Sequence, residues 1–330
     1  MRVFVTGGTG LVGHHVIAQL VRRGDTVLAL ARSDAAARTL TSAGAGVLRG
    51  GLADAAALEA GLDGCDAAVH AAAVVLSRED WRAYHDANVT PTARIAAAAG
   101  RRGLRLVHVS SVAVYGRRET YEGGPGSVSE AFGLEHPLFE GDHYARSKRE
   151  AELALWRAAE ATGLRAAAIR PCVIYGEGDR HFSPRVAAAL RWGVAPLVGA
   201  GTNLLSVVYA GNVAAAVLAA LDRPAAVGPF NVTNDGGITQ RGFVERFAAG
   251  LGVRLRVLRI PAGAAWGAAR CVDAARSLLA PASPMTWLKG AVQFLANPNP
   301  YTSERAEREL GWKSPTPPAE AVERTGRAFR

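Results

Sequence analysis

Short apolar runs alternate with amphipathic stretches through the first half of the chain. Arg2–Thr6, Thr26–Ala31, Gly46–Arg49, Asp66–His70, Leu104–Val109 and Arg165–Arg170 are rich in branched and small apolar residues and read as strands. Between them, the stretch up to Arg23, the segment Asp54–Gly61 behind an acidic cap, Asp80–Gly100, and the run from Tyr144 to about Thr162 carry the helical period. Repeated βα units of this length specify a doubly wound parallel sheet. Beyond Gly176 the alternation loosens. Pro184–Trp192, Asn212–Asp222 and Gln240–Gly250 read as helices, Asn203–Tyr209 and Pro229–Val232 as strands, and Glu304–Leu310 as a capped surface helix. From Pro261 to Asn297 runs an apolar segment with Trp266, Trp287 and Phe294, interrupted by Arg270, Asp273, Arg276 and Lys289. Its polar face is not densely basic, so it reads as a lid or wall on a cleft rather than a membrane-surface helix.

The first turn carries the chemistry of a nucleotide site. Gly7-Gly8-Thr9-Gly10-Leu11-Val12-Gly13 lies between the first strand and the first helix. Glycines there let the backbone turn tightly and approach a pyrophosphate, whose charge rests on the helix N-terminus. This is the context a dinucleotide-binding loop requires, and with the alternation above it gives a Rossmann-type α/β fold. Residues 1–175, rejoined by about 206–235, form the expected nucleotide-binding domain. Residues 176–205 and 236–330 form a smaller, mostly helical C-terminal substrate lobe. The second strand ends in Arg32-Ser33-Asp34, nineteen residues past Gly13, where such folds meet the adenosine ribose. An arginine followed by a serine suits a 2′-phosphate and hence NADP(H). Asp34 reaching the ribose with Arg32 in solvent is the alternative, and it means NAD. Ala71-Ala72-Ala73 after the fourth strand are small enough for a cofactor to lie against the backbone, and His70 reads as a packed strand-end residue.

Tyr144 and Lys148 are four apart, so on a helix both side chains leave from one face. A phenol with a pKa near ~10 is a poor acid–base group at neutral pH, and an adjacent cation lowers that value. A tyrosine and a lysine at this spacing also describe an ordinary solvated helix face. Yet only Lys148, Lys289 and Lys313 are lysines among 38 basic residues, which marks the place where a compact ammonium replaces arginine. Ser110-Ser111 stand at the carboxyl end of the strand Leu104–Val109, pointing into the crevice where parallel sheets bind ligands.

Composition bounds the remainder. With 330 residues, 49% apolar and 20% charged, the chain supports a large core. The net charge of +9 comes from scattered arginines without a basic run, which favours anionic small molecules over nucleic acid. Cys65, Cys172 and Cys271 are few and far apart, and fit a reducing compartment with no disulfide framework and no metal site. Cys172 reads as packing. Met1 is followed at once by a strand, and no apolar run reaches membrane-spanning length, so the expectation is a cytoplasmic protein.

Together these residues resemble the extended short-chain dehydrogenase/reductase family, the NAD-dependent epimerase/dehydratase superfamily. The resemblance covers nearly the whole chain: the Gly7–Gly13 loop, Val69-His70-Ala71-Ala72-Ala73, Asn88, Ser110-Ser111 with Tyr115-Gly116, Tyr144 with Lys148, Arg170-Pro171 with Tyr175-Gly176, and Glu309-Leu310-Gly311-Trp312. It implies that Ser111 hydrogen-bonds the substrate oxygen and Tyr144 gives or takes a proton. It implies too that Lys148 binds the nicotinamide ribose while lowering the tyrosine's pKa. Ser111 is preferred to Ser110 because it lies four before Tyr115. Thr9, Leu11, Val12, Leu52, Asn88, Pro171 and Val173 join the cofactor contacts on the same grounds. A homodimer through the helices carrying Asn88 and Tyr144 is also implied. One departure stands out: the family's Gly-Asp-Leu after the third strand is Gly50-Gly51-Leu52 here.

The subclass follows from what surrounds the motifs. Val112 and Ala113 occupy positions where the family's dehydratases carry acids. Thr202–Ser206 lacks the arginine with which its epimerases meet a diphosphate. Arg170-Pro171, Arg32-Ser33 and the apolar 261–297 segment look more like the 3β-hydroxysteroid dehydrogenase and dihydroflavonol reductase branch. The resemblance therefore implies NADP(H)-preferring interconversion of a ketone and a secondary alcohol on a hydrophobic small molecule. A sugar-nucleotide epimerase-like enzyme and a non-catalytic NADP(H) sensor are the alternatives.

Overall fold

The computed structural model describes residues 1–75, 80–116, 124, 126–233, 235–279 and 287–330. Strands β1 (Arg2–Thr6), β2 (Thr26–Ala31), β3 (Gly46–Arg49), β4 (Ala67–His70), β5 (Arg105–Val109) and β6 (Arg165–Pro171) fall where the apolar runs predict them. Between them lie α1 (Leu11–Arg23), α2 (Asp34–Ser42), α3 (Ala55–Leu62), α4 (Trp81–Tyr84), α5 (Thr90–Arg101) and α6 (His143–Thr162). Further on come β7 (Val173–Tyr175), α7 (Ser183–Leu190), β8 (Val194–Val198), β9 (Val207–Tyr209), α8 (Ala210–Asp222), β10 (Gly228–Val232) and α9 (Gln240–Leu251). The chain closes with β11 (Arg256–Ile260), α10 (Ala262–Leu279), α11 (Trp287–Ala296), α12 (Glu304–Leu310) and α13 (Pro318–Arg327).

Seven strands form one parallel sheet in the order β10-β6-β5-β4-β1-β2-β3. Strand order reverses between β1 and β4, and there the carboxyl ends open a crevice. Strands β4 and β5 are buried along their whole length, as helices on both faces of a parallel sheet require. The period of two is visible within β1. Val3 and Val5 join Ile17, Leu20 and Val217 on one face, whereas Phe4 packs with Leu58, Ile95, Leu106 and Leu155 on the other. Each such fully buried side chain contributes about 1.5–3 kcal/mol.

The helix starts are local in origin. Ser33, Asp54, Asp80 and Asp142 accept from the backbone N–H groups of Ala36, Ala57, Ala83 and Ala145. Helix α6 ends at Gly163, which adopts the left-handed conformation at φ 70°.

Three expectations change. The helix expected over Asp80–Gly100 is interrupted by a π-helical turn, His85–Val89, which rotates Asn88 inward. The strand expected over Asn203–Tyr209 shrinks to β9, because the backbone of residues 203–205 pairs elsewhere: Asn203 O accepts from Gln240 N, Leu205 N donates to Ile238 O and Leu204 O accepts from Asn299 N. The C-terminal half also holds two small parallel sheets, β8 with β11 and β7 with β9, where helices predominate in the sequence reading. Residues 280–286, within the segment read as a lid or wall, lie outside the described residues.

Candidate active site

The glycine loop is built for close approach. Gly7 holds a left-handed φ of 77°, and a Cβ there would overlap the Ala72 backbone. A Cβ at Gly13 would overlap the Gly7 carbonyl, so only glycine lets α1 start this close to β1. Gly10 caps α1 without any side chain, and Thr9, Gly10, Leu11 and Val12 line the cleft. The first-turn N–H groups and positive dipole end thus face the crevice, a cradle that fits the diphosphate of a dinucleotide.

At the end of β2, Arg32 and Ser33 are exposed. The Ser33 hydroxyl accepts from Ala36 N at 3.2 Å as the N-cap of α2. Asp34 pairs with Arg49 at 2.6 Å, an exposed pair that draws its carboxylate toward β3. Leu52 packs against the core face that holds Phe4. Gly7, Gly13, Ala72, Arg32, Ser33 and Leu52 do not line the main cleft, whereas Ala71, Ala73, Pro171 and Val173 do.

Ser111, Tyr144 and Lys148 meet on one wall of that cleft. The Ser111 hydroxyl accepts from Ala113 N at 3.2 Å and hydrogen-bonds the Tyr144 phenol. Ser110 differs: its hydroxyl donates to Glu152 at 2.6 Å and is committed beneath the site. Lys148 is 4% exposed and donates from Nζ to the Val109 carbonyl at 2.8 Å. Burial lowers its pKa to about 8, although the Glu152 carboxylate acts the other way.

The Tyr144 phenol does not show the lowered pKa that the resemblance implies. Burial pushes it up to about 12, outweighing the Ser111 hydrogen bond, and the nearby Asp142 and Tyr84 raise it further. The physical reason is burial of the phenol; the Lys148 ammonium, which donates to the Val109 carbonyl, is not among the groups that shift it. In this arrangement Tyr144 is a protonated donor.

Asn88 lies behind the wall rather than on it. Its Oδ1 accepts from Val74 N at 2.7 Å, and its Nδ2 donates to Val74 O at 3.0 Å and Ser147 Oγ at 2.8 Å. Ser147 in turn donates to Tyr144 O at 2.9 Å. The π turn therefore ties the exit of β4 to the helix that carries the tyrosine. His70 is packed as expected. Thr92 donates its one hydroxyl proton to Asn88 O, so His70 Nε2–H donates to Thr92 and Nδ1 accepts from Thr6. Burial and the Lys148 charge hold this imidazole neutral, with a pKa lowered to about 3.

A polar network under the cleft was missed in the sequence reading. Glu152 and Arg170 form a buried ion pair, 0% and 3% exposed. Glu152 also accepts from Ser110 and Trp156, while Arg170 donates to Tyr115 OH at 2.7 Å. Tyr115 OH donates to Asn231 Oδ1 at 2.8 Å. The signal was present, because Glu152 repeats the Tyr144–Lys148 spacing on the helix face that carries buried Leu155. Cys172 is buried at the cleft floor, its Sγ 3.6 Å from Thr233 O.

The cleft has a volume of about 830 Å³. Apart from the groups above, its walls are largely apolar: Val75, Val112, Ile174, Phe182, Trp266 and Phe294. Arg180, His181 and Arg185 stand among the lining residues. Asp179, the acid beside them, accepts from the backbone N–H groups of His181, Phe182 and Ser183 and so opens α7.

The glycine loop thus opens at the switch point of the parallel sheet, with Ser111 after β5 and Tyr144 and Lys148 in the first turns of α6 on the wall of the same cleft. The chain belongs to the NAD dependent epimerase/dehydratase family, whose model matches residues 3–234. It is 33% identical over 314 residues to the 4-hydroxy-2-methyl-3-oxo-4-farnesyl-3,4-dihydroquinoline-1-oxide ketoreductase of Stigmatella aurantiaca, covering 94% of this chain and 92% of that one. It is 31% identical to the 2-alkyl-3-oxoalkanoate reductase of Stenotrophomonas maltophilia, covering 94% of each. Among solved structures, UDP-N-acetylglucosamine 4-epimerase from Bacillus cereus superposes with a TM-score of 0.73 at 20% identity, over 100% of this chain and 99% of that one. At that identity the likeness is one of fold. The protein is accordingly a nicotinamide-dependent enzyme of this family, and among the described residues no helix is long and apolar enough to cross a membrane.

Proposed function

We propose that the protein is an NADP(H)-preferring reductase that interconverts a ketone and a secondary alcohol on a hydrophobic small molecule. The observation that carries this reading is the Tyr144 phenol hydrogen-bonded to Ser111 on the wall of an otherwise largely apolar cleft. The relatives that reduce a farnesyl-bearing quinoline oxide and 2-alkyl-3-oxoalkanoates support a ketone with a long apolar substituent.

The α1 N-terminus would hold the cofactor's diphosphate, and Arg32 with Ser33 would meet a 2′-phosphate at the end of β2. When bound, the nicotinamide supplies or accepts the hydride. Tyr144 holds the proton at its phenol oxygen and donates it to the substrate oxygen. Ser111 orients that oxygen by a second hydrogen bond. Lys148 places a positive charge beneath the site and stabilises negative charge developing above it. The apolar walls exclude water and strengthen each of these interactions.

The sugar-nucleotide epimerase-like reading is favoured by one feature, the pair Arg180 and Arg185 in the cleft lining, which could meet a diphosphate. Against it, Asn203 in the Thr202–Ser206 run is committed to backbone carbonyls. The discriminating experiment follows oxidation of NADPH and NADH across a panel of alkyl ketones and 3-oxo acids, beside binding of UDP- and dTDP-sugars. NADPH-dependent turnover of the apolar ketones supports the proposal. Tight sugar-nucleotide binding with no ketone turnover overturns it.

A further inference from the structure

The two-stranded sheet β8/β11 stands out from the remaining surface. In its register Val194 sits beside Arg256 and Pro196 beside Leu258, so these four share a face. All four are exposed, Val194 by 45% and Leu258 by 58%. Trp192, two residues before Val194, is 89% exposed, the highest value among the large apolar residues described. The same sheet face continues to Val198 and Ile260, which α10 and α11 cover through Ala265, Ala269 and Val292. Helix α10 then presents exposed Gly263, Gly267, Ala268 and Val272 to solvent.

Arginines border this patch. Arg191, Arg254, Arg256, Arg259 and Arg270 are all exposed. The stretches 180–221 and 246–272 contain no Asp or Glu. A tryptophan 89% exposed among aliphatic groups and bordered by arginines matches the interfacial zone of a bilayer. There the indole sits at headgroup level and the guanidinium groups meet lipid phosphates. We propose that this face docks the protein peripherally on an anionic lipid bilayer. The charge complementarity selects lipid over a second copy of the chain, since apposing two such faces would bring ten guanidinium groups together.

Helix α10 also contributes Trp266 to the cleft, and α11 contributes Gly290, Gln293 and Phe294. The elements that would touch the bilayer therefore also wall the apolar cleft, giving a lipid-dissolved substrate a short path to the site. The docking itself does not depend on the catalytic reading.

The test is co-sedimentation of the full chain with vesicles of phosphatidylcholine containing phosphatidylglycerol at about 30%, against vesicles of phosphatidylcholine alone. The expected result is binding to the anionic vesicles that weakens with added salt. Arg254→Gln/Arg256→Gln should weaken it by about fivefold per arginine removed, and Trp192→Ser should also reduce it. Arg38→Gln/Arg157→Gln, which removes the same charge elsewhere on the surface, should leave it within about twofold. Absence of binding to anionic vesicles, or equal loss in the two double variants, overturns the proposal. So does sedimentation equilibrium showing a dimer that Trp192→Ser dissociates.

Discussion

Lys148 and Glu152 stand one helical turn apart on α6, yet the carboxylate pairs with Arg170 and the ammonium donates to the Val109 carbonyl. The buried acid thus neutralises an arginine under the sheet ends, leaving Lys148 as a buried cation of lowered pKa. This division has consequences for both rate and stability.

The kcat/KM for reduced cofactor reports groups of the free enzyme. Lys148 titrates at about 8, so that quantity should fall by about tenfold per pH unit above that point as the cation is lost. Lys148→Arg should move the fall to higher pH. A flat profile from pH 7 to about 10 would remove Lys148 from cofactor capture.

Lys148 also lowers stability. Its pKa drops from 10.5 unfolded to about 8 folded, so the unfolded state binds more protons between those values and stability rises with pH across that window. Below about pH 8 the full penalty is present. Lys148→Met should therefore abolish activity yet raise stability at pH 7 by about 2 kcal/mol, after allowing for the lost bond to Val109. Denaturant midpoints at pH 7 and pH 10 check this, since the gain should shrink at the higher pH.

Glu152→Gln should cost about 3–5 kcal/mol, because it leaves Arg170 buried without its countercharge. The partly exposed partner of Arg146, Glu150, is two residues away on the same helix. Glu150→Gln should change stability by less than about 0.5 kcal/mol. Urea unfolding of the two variants side by side measures the contrast.

Arg32→Ala should weaken NADPH by about 1–3 kcal/mol and leave NADH nearly unchanged. Its guanidinium is exposed at the end of β2, while Asp34 is drawn toward Arg49. Equal losses for the two cofactors, measured by fluorescence titration, would discredit the phosphate assignment.

The Rossmann half of the fold was legible because its signals are local. Continuous apolar strands, a glycine turn and an acidic cap at Asp54 each act within a few residues. Tyr144, Lys148 and Ser111 were legible as residue types at spacings. Their electrostatics were not, because the Tyr144 pKa depends on what buries the phenol and on where the Lys148 ammonium is tethered. The Glu152–Arg170–Tyr115–Asn231 chain joins residues up to 116 positions apart, and no window of sequence displays it. Strands β8 and β11 escaped because each is half exposed and carries arginines or proline where a core strand carries valine.

The central claim is that the Tyr144 phenol delivers the proton in ketone reduction. Its most direct test is single-turnover reduction by Tyr144→Phe enzyme, together with that variant's Kd for NADPH. The account predicts a rate lowered by about 100- to 10,000-fold with cofactor affinity within about threefold of the parent. A variant that keeps most of its rate would contradict it.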